Sequence, residues 1–200
     1  MARCPICKQP ATERFGLKLF CGYEHAAEWA KSAQERKKKS EASKRMSEVK
    51  KRDRDTLERL KTPRQQSADA QVVFNKLRRL QELVRFKELN QEPVCFSCQK
   101  PIGNDQWAAG HFYTRGARPD LAFEPLNVHI QHNTKCNMYL SGDVEGQKRG
   151  YVIRYGEKAQ EILDSLVAVR PIPKRTPEEW KALKAEWNRE IRRLQKLLDG

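Results

Sequence analysis

The sequence predicts a mostly helical α+β chain organised by two small Cys/His clusters, and three observations carry that expectation. Six cysteines fall into two groups of three, each completed by a histidine at metal-ligand spacing. After the first group runs a long polar stretch with no Gly or Pro until Pro63. Towards the C-terminus Trp180, Leu183, Trp187, Ile191, Leu194 and Leu198 recur at helical steps, the mark of one apolar face.

The first cluster is Cys4, Cys7, Cys21 and His25; the second is Cys95 and Cys98 answered by His132 and Cys136. A tetrahedral zinc ion takes two ligands from one tight turn and two from another, and a CxxC pair followed by a second short pair supplies that geometry. Disulfides are the competing reading, but they belong to oxidising compartments. The N-terminal Met-Ala-Arg-Cys-Pro has no apolar signal core and no apolar run approaches membrane-spanning length, so the expectation is two structural zinc ions in a cytoplasmic protein.

Composition narrows the partners. Of 200 residues, 38% are hydrophobic and 33% charged, too polar for one large core, so part of the chain must be extended. Forty Lys and Arg against 26 Asp and Glu leave a net charge of +14, which suits a polyanion, nucleic acid first. A membrane surface fits less well, because the most basic stretch lacks the broad apolar face that membrane binding needs.

Residues 1–25 read as a zinc knuckle with Phe15, Leu17, Leu19 and Phe20 as its small core, and metal binding supplies the free energy that so small a core lacks. Residues 26–92 read as a helical region, first a long polar helix to about 62. Its residues 31–54 hold eleven Lys/Arg against four Asp/Glu, half of the net charge. That segment is either a solvated spacer or a DNA-binding arm, with Lys37, Lys38, Lys39, Lys44, Arg45, Lys50, Lys51 and Arg52 as its contacts. Beyond Pro63, Val73, Leu77, Leu80 and Val84 mark an amphipathic helix of roughly five turns. Residues 93–170 carry two short strands around His111 and Val128, a helix beginning near His132, and another over about 156–168 ended by Pro171 and Pro173. In 171–200, Thr176, Pro177 and Glu179 form a capping box with proline at the first helical position, opening the last helix. Its stripe is a packing face, within the chain or in a dimer.

Between the second pair of zinc ligands the order is Cys-x2-Cys, Gly110-His111, Asn127, then a His/Cys pair followed at once by Asn137. This order resembles the HNH or ββα-metal nucleases, in particular the zinc-stabilised phage endonuclease VII group. From the CPIC segment to NVHIQ and LSGD, the whole chain is similar to the lambda-type phage NinG (Rap) family, associated with recombination and cleavage of branched DNA. The resemblance implies a ββα-metal core in which His111 deprotonates water, Asn127 braces the hairpin, and Asn137 binds a catalytic Mg2+ or Mn2+. A neutral-range imidazole suits the first role and an amide oxygen the last. The implied activity is metal-dependent endonucleolytic cleavage of Holliday junctions and D-loops in the host cytoplasm, and the competing reading is a non-catalytic DNA-binding accessory protein.

Two departures qualify the resemblance. Many HNH enzymes have Asp before the histidine, and here it is Gly110, so either Asn137 is the only side-chain ligand or Asp105, Asp120 or Asp143 substitutes. The relatives usually carry CxxC where this chain has His132-x3-Cys136, leaving His129 as an alternative fourth zinc ligand. Arg115 and Arg118, just beyond the base, are expected to clamp phosphate or offset its transition-state charge. Symmetric cutting of a junction needs two sites, so a homodimer is expected, through the Trp180–Leu198 stripe or the Val73–Val84 helix.

Overall fold

The structure, a computed structural model, describes residues 2–168 and 170–200. It divides into two compact units, Met1–Leu60 and Lys61–Gly200. The boundary falls at the break before Pro63, so the amphipathic helix that follows packs within the second unit.

The first unit is a hairpin, β1 (Glu13–Phe15) and β2 (Lys18–Phe20), and one long helix, α1 (Tyr23–Leu60). Gly16 takes a positive φ of 61° at the hairpin turn, where a side chain would be strained. Cys4, Phe20 and Ala26 form the buried centre, with Ile6, Phe15 and Trp29 packed on it. Of the four apolar residues expected there, Leu17 is instead fully exposed, because it occupies the hairpin tip. Ile6 and the first two turns of α1 replace it. Past those turns α1 has no apolar face, and residues 34–57 are exposed throughout.

The second unit opens with α2 (Pro63–Glu88), whose N-terminus is closed by a Thr62/Gln65 capping box. It lies against α5 (Pro177–Asp199), where Leu77, Val84, Ile191 and Leu194 are buried and Val73, Leu80, Trp187 and Leu198 pack around them. The two apolar seams expected to offer a dimer interface therefore cover each other within one chain. The Thr176/Glu179 capping box at the start of α5 is formed as expected.

Strands β3 (Trp107–His111) and β4 (Val128–His132) pair antiparallel, with Gly110 opposite His129 and His111 opposite Val128. The helix expected from His132 is a π-helical segment, Asn133–Tyr139, with Cys136 of the second cluster buried inside it. A helix not anticipated from the sequence follows, α3 (Val144–Tyr155), and then α4 (Ala159–Val167), preceded by a 3-10 turn. Gly146 and Gly150 hide α3 from sequence reading, since glycine disfavours helix interiors. Gly150 is there because a side chain would strike the carbonyl and ring of Phe96. Phe96, Phe112, Leu121, Tyr151, Ala159 and Leu166 form the core under the β3–β4 hairpin. Arg78 of α2 donates to the Val128 carbonyl at 3.1 Å, and buried Glu82 receives both Arg78 and Arg154, tying α2 to β4 and α3. Among the described residues no helix is long and apolar enough to cross a membrane.

Candidate functional site

The CxxC turns of the two units are built alike. In CPICKQP the Cys4 amide donates to the Gln9 carbonyl, the Lys8 amide donates to the Cys4 carbonyl, and Arg3 bridges Pro10. In CFSCQKP the Cys95 amide donates to Lys100, the Gln99 amide to Cys95, and Val94 bridges Pro101. Lys8 and Gln99 occupy the same left-handed position, with φ of 64° and 56°. Each turn aims two sulfurs at one point, and each point receives two more donors.

In the first cluster the ligand atoms of Cys4, Cys7, Cys21 and His25 lie within 4.8 Å of one another, and in the second those of Cys95, Cys98, His132 and Cys136 do the same. A tetrahedral zinc with S and N ligands at about 2.0–2.3 Å places its donors roughly 3.5–3.8 Å apart. The observed separations of 3.4 Å for Cys7–Cys21, 3.3 Å for Cys98–His132 and 4.0 Å for His132–Cys136 lie close to that spacing, while Cys21–His25, at 2.9 Å, is shorter. His132 sits with Nδ1 towards the sulfurs while Nε2 donates to the Pro101 carbonyl at 2.8 Å, the outer hydrogen bond that fixes the tautomer of a metal-binding imidazole. Burial raises the pKa of the Cys95 and Cys136 thiols, so holding them as thiolates needs a cation. His129, the alternative ligand, points elsewhere. It is buried at 1% exposure, lies 3.8 Å from the Phe96 ring centroid and hydrogen-bonds Tyr155 at 3.1 Å.

Beside the second cluster opens a polar cleft of about 410 Å³ lined by Asn75, His111, Thr114, Arg115, Asn137 and Ser141, with Ala109 and Gly142. Strand alternation puts Ala109 and His111 on the cleft side of β3, and the π-helical segment brings Asn137, next to the ligand Cys136, to the opposite wall. His111 Nε2 is 3.2 Å from the Ala122 carbonyl and 3.4 Å from the Gln71 carboxamide nitrogen; the nearer partner, the carbonyl, can only accept, which favours the tautomer with the proton on Nε2. Burial lowers the His111 pKa, opposed by that hydrogen bond, and the charge of Arg115 lowers it further. The imidazole is therefore neutral at neutral pH.

Asn127 does not line the cleft. Fully buried, it accepts from the Tyr113 amide at 2.8 Å and donates to the Tyr113 and Leu121 carbonyls at 3.1 Å, holding the loop between β3 and β4. Arg118 turns away altogether. It makes a two-point ion pair with Asp120 and caps the Leu166, Val167 and Ala168 carbonyls at the end of α4. Asp105 caps the π-helical segment through the Thr134 amide and hydroxyl, and Asp143 caps α3 through the Gly146 amide. Thus none of Asp105, Asp120 and Asp143 lines the cleft. Gly110 is also explained, because any side chain there would strike the buried Gln131 carboxamide.

Sequence reasoning missed the contribution of α2 and of two buried amides. Gln71 donates to the Ala122 carbonyl at 3.1 Å and to Asn75, which reaches the cleft. Gln131 and Gln147 both donate to the Gly142 carbonyl, and Gln147 also to the His111 carbonyl at 3.2 Å, so they link the strand bearing His111 to the loop after Asn137. The available signal was polar residues on otherwise apolar faces, Gln71 between Ala70 and Val73, and Gln131 next to Ile130.

On α1 the expected DNA contacts Lys37, Lys38, Lys39, Lys44, Arg45, Lys50, Lys51 and Arg52 are all exposed. Lys37, Lys44 and Lys51 recur every seven residues, as do Lys38, Arg45 and Arg52, so they run in two columns along one face with a rise of about 10.5 Å per repeat.

The family model described as Bacteriophage Lambda NinG protein matches residues 1–197. Protein ninG of Escherichia phage 933W is 28% identical over 96% of this chain and 92% of its own. Protein ninG of Escherichia phage lambda is 32% identical over 54% of this chain and 50% of its own, and that of Salmonella phage P22 is 32% identical over 54% and 51%. No solved structure matches. The chain belongs to the bacteriophage lambda NinG protein family.

Proposed function

We propose that this NinG-family chain is a divalent-metal-dependent endonuclease acting on branched DNA, with one structural zinc ion in each Cys/His cluster. The observation that supports it best is the convergence of His111, Arg115 and Asn137 on one cleft beside the second cluster. In this reading His111 Nδ1 accepts the proton of the attacking water, and the Ala122 carbonyl holds the ring for that transfer. Arg115, exposed at the cleft mouth, receives the phosphate. Asn127 is a positioning residue that fixes the loop behind His111. Asn137 would hold the Mg2+ or Mn2+ ion, which supplies charge stabilisation at the leaving oxygen. A single neutral oxygen fits a hard ion only when water and substrate phosphate complete its shell, and Mg2+ tolerates that arrangement. The second zinc cluster, sharing β4 and the π-helical segment with the site, keeps base and ion ligand in register.

The branched substrate rests on the motif resemblance, and the basic columns of α1 supply the duplex-binding surface. Each chain has one such cleft, so paired cuts recruit two chains to one junction, through surfaces other than the mutually packed α2 and α5 seams. The absence of a carboxylate from the cleft favours a second reading, a zinc-containing DNA-binding accessory protein without catalysis. A labelled four-way junction incubated with the protein and Mg2+ or Mn2+, with no-metal and His111→Ala controls, separates the two. Metal-dependent cutting lost in the variant supports the nuclease; binding without cutting in every condition leaves the accessory role.

A further inference from the structure

Next to the polar cleft lies a larger cavity of about 840 Å³. Arg115 lines both. Arg64, at the start of α2, stands on the cavity rim, and among the described residues neither Arg64 nor Arg115 makes an ion pair or hydrogen bond. Inside, the Arg175 guanidinium lies over the Trp180 ring at 4.9 Å and over the Phe123 ring at 5.9 Å. Ile172, 58% exposed, contributes an apolar edge.

These features match one kind of ligand. Two uncommitted guanidiniums at a rim suit successive phosphates, and a flat cationic floor with an apolar edge suits the face of a nucleobase. A base still paired within a duplex offers no free face, so the occupant must be unpaired. We propose that this cavity receives an unpaired nucleotide of the DNA whose neighbouring phosphate lies in the His111 cleft. Its phosphates contact Arg64 and Arg115, and its base stacks on Arg175 against Ile172. This inference rests on the nuclease reading for its placement and gives that reading a physical source of preference for branched over linear duplex, since a branch point supplies unstacked nucleotides at low cost.

The test is equilibrium binding in magnesium-free buffer without chelator, so that zinc stays bound and nothing is cut. The probes are a blunt duplex and the same duplex bearing a short oligothymidine flap. Ala68→Trp fills the cavity from an exposed position on α2, and Arg64→Ala removes a rim cation. Ala68→Trp is expected to weaken flap binding at least about fivefold, the effect of losing one stacked base, while blunt-duplex affinity stays within about twofold. Arg64→Ala should weaken flap binding and reduce its salt slope by about 0.7. Unchanged zinc content in both variants confirms the fold. Equal losses on both probes, or none on either, overturn the inference even where the wild-type protein cuts junctions normally. A selective loss of flap binding in a protein that cuts no DNA keeps the cavity as a nucleotide site and removes the nuclease reading instead.

Discussion

His111 and His129 show how burial sets the chemistry of one residue type in two ways. His111 lines the cleft, and its pKa is lowered from 6.5 by burial. The base form therefore persists below the pH at which a solvated histidine protonates, and under the proposed nuclease reading the acid limb of any cleavage rate is expected to have its midpoint below pH 6.5. A midpoint above that value in a pH–rate profile would assign the base to another group. His111→Ala should reduce the rate by at least about a hundredfold while leaving zinc content and DNA affinity in place. His129 is sealed among Phe96, Tyr151 and Tyr155, and burial, then the charges of Arg154, Arg78 and Arg85, hold its pKa well below 6.5. Unfolded, it takes up a proton near pH 6.5 that the folded state refuses, so its stabilising contribution is present above that pH and lost as the pH falls. The expected loss is about 1.4 kcal/mol per pH unit below 6.5. Urea midpoints of His129→Gln measured between pH 7 and pH 5 should fall less steeply than those of the wild type; parallel slopes would exclude this histidine.

At the scale of elements, α1 and α2 divide the basic and apolar work. Past its first turns α1 packs on nothing within its own unit, and its lysines and arginines stand in columns. Replacing Lys37, Lys44 and Lys51 together with Gln should weaken DNA binding and flatten the slope of log K against log salt by up to about 0.9 per lost phosphate contact. An unaltered slope would make the helix a spacer. Helix α2 instead carries the hairpin through Arg78 and the Arg78–Glu82–Arg154 network, in which Glu82 is 4% exposed. Glu82→Ala leaves two largely buried guanidiniums without their shared carboxylate and should destabilise the second unit by about 3–5 kcal/mol in denaturant unfolding.

For the whole molecule, the two clusters predict two zinc ions per chain in protein purified without added metal. The hairpin of the first unit has so small a core that chelation should melt it, seen as a loss of zinc followed by fast proteolysis before α1. A reproducible ratio near one would remove the first site. Light scattering with and without a four-way junction tests whether two chains assemble on the DNA. Because the α2 and α5 seams cover each other, the free protein is expected to be monomeric.

The ligand spacings, the Thr176 capping box and the period of the two apolar seams were all legible in the chain, because each is a local relation between residues a few positions apart. The resemblance that their order carries also singled out His111 and Asn137, which line one cleft. What only the tertiary structure decided depends on residues far apart in sequence. It chose His132 over His129 by burying His129 under Phe96, and it gave Arg118 to the end of α4 rather than to a phosphate. It paired α2 with α5 across about a hundred intervening residues, turning two candidate interfaces into one core. It also brought Asn75 to the cleft from α2, held by Gln71, which bonds the Ala122 carbonyl. A hydrophobic period tells which face of a helix is buried, but not against what, since any apolar surface of the right length satisfies it. That choice is made when the whole chain closes over its core.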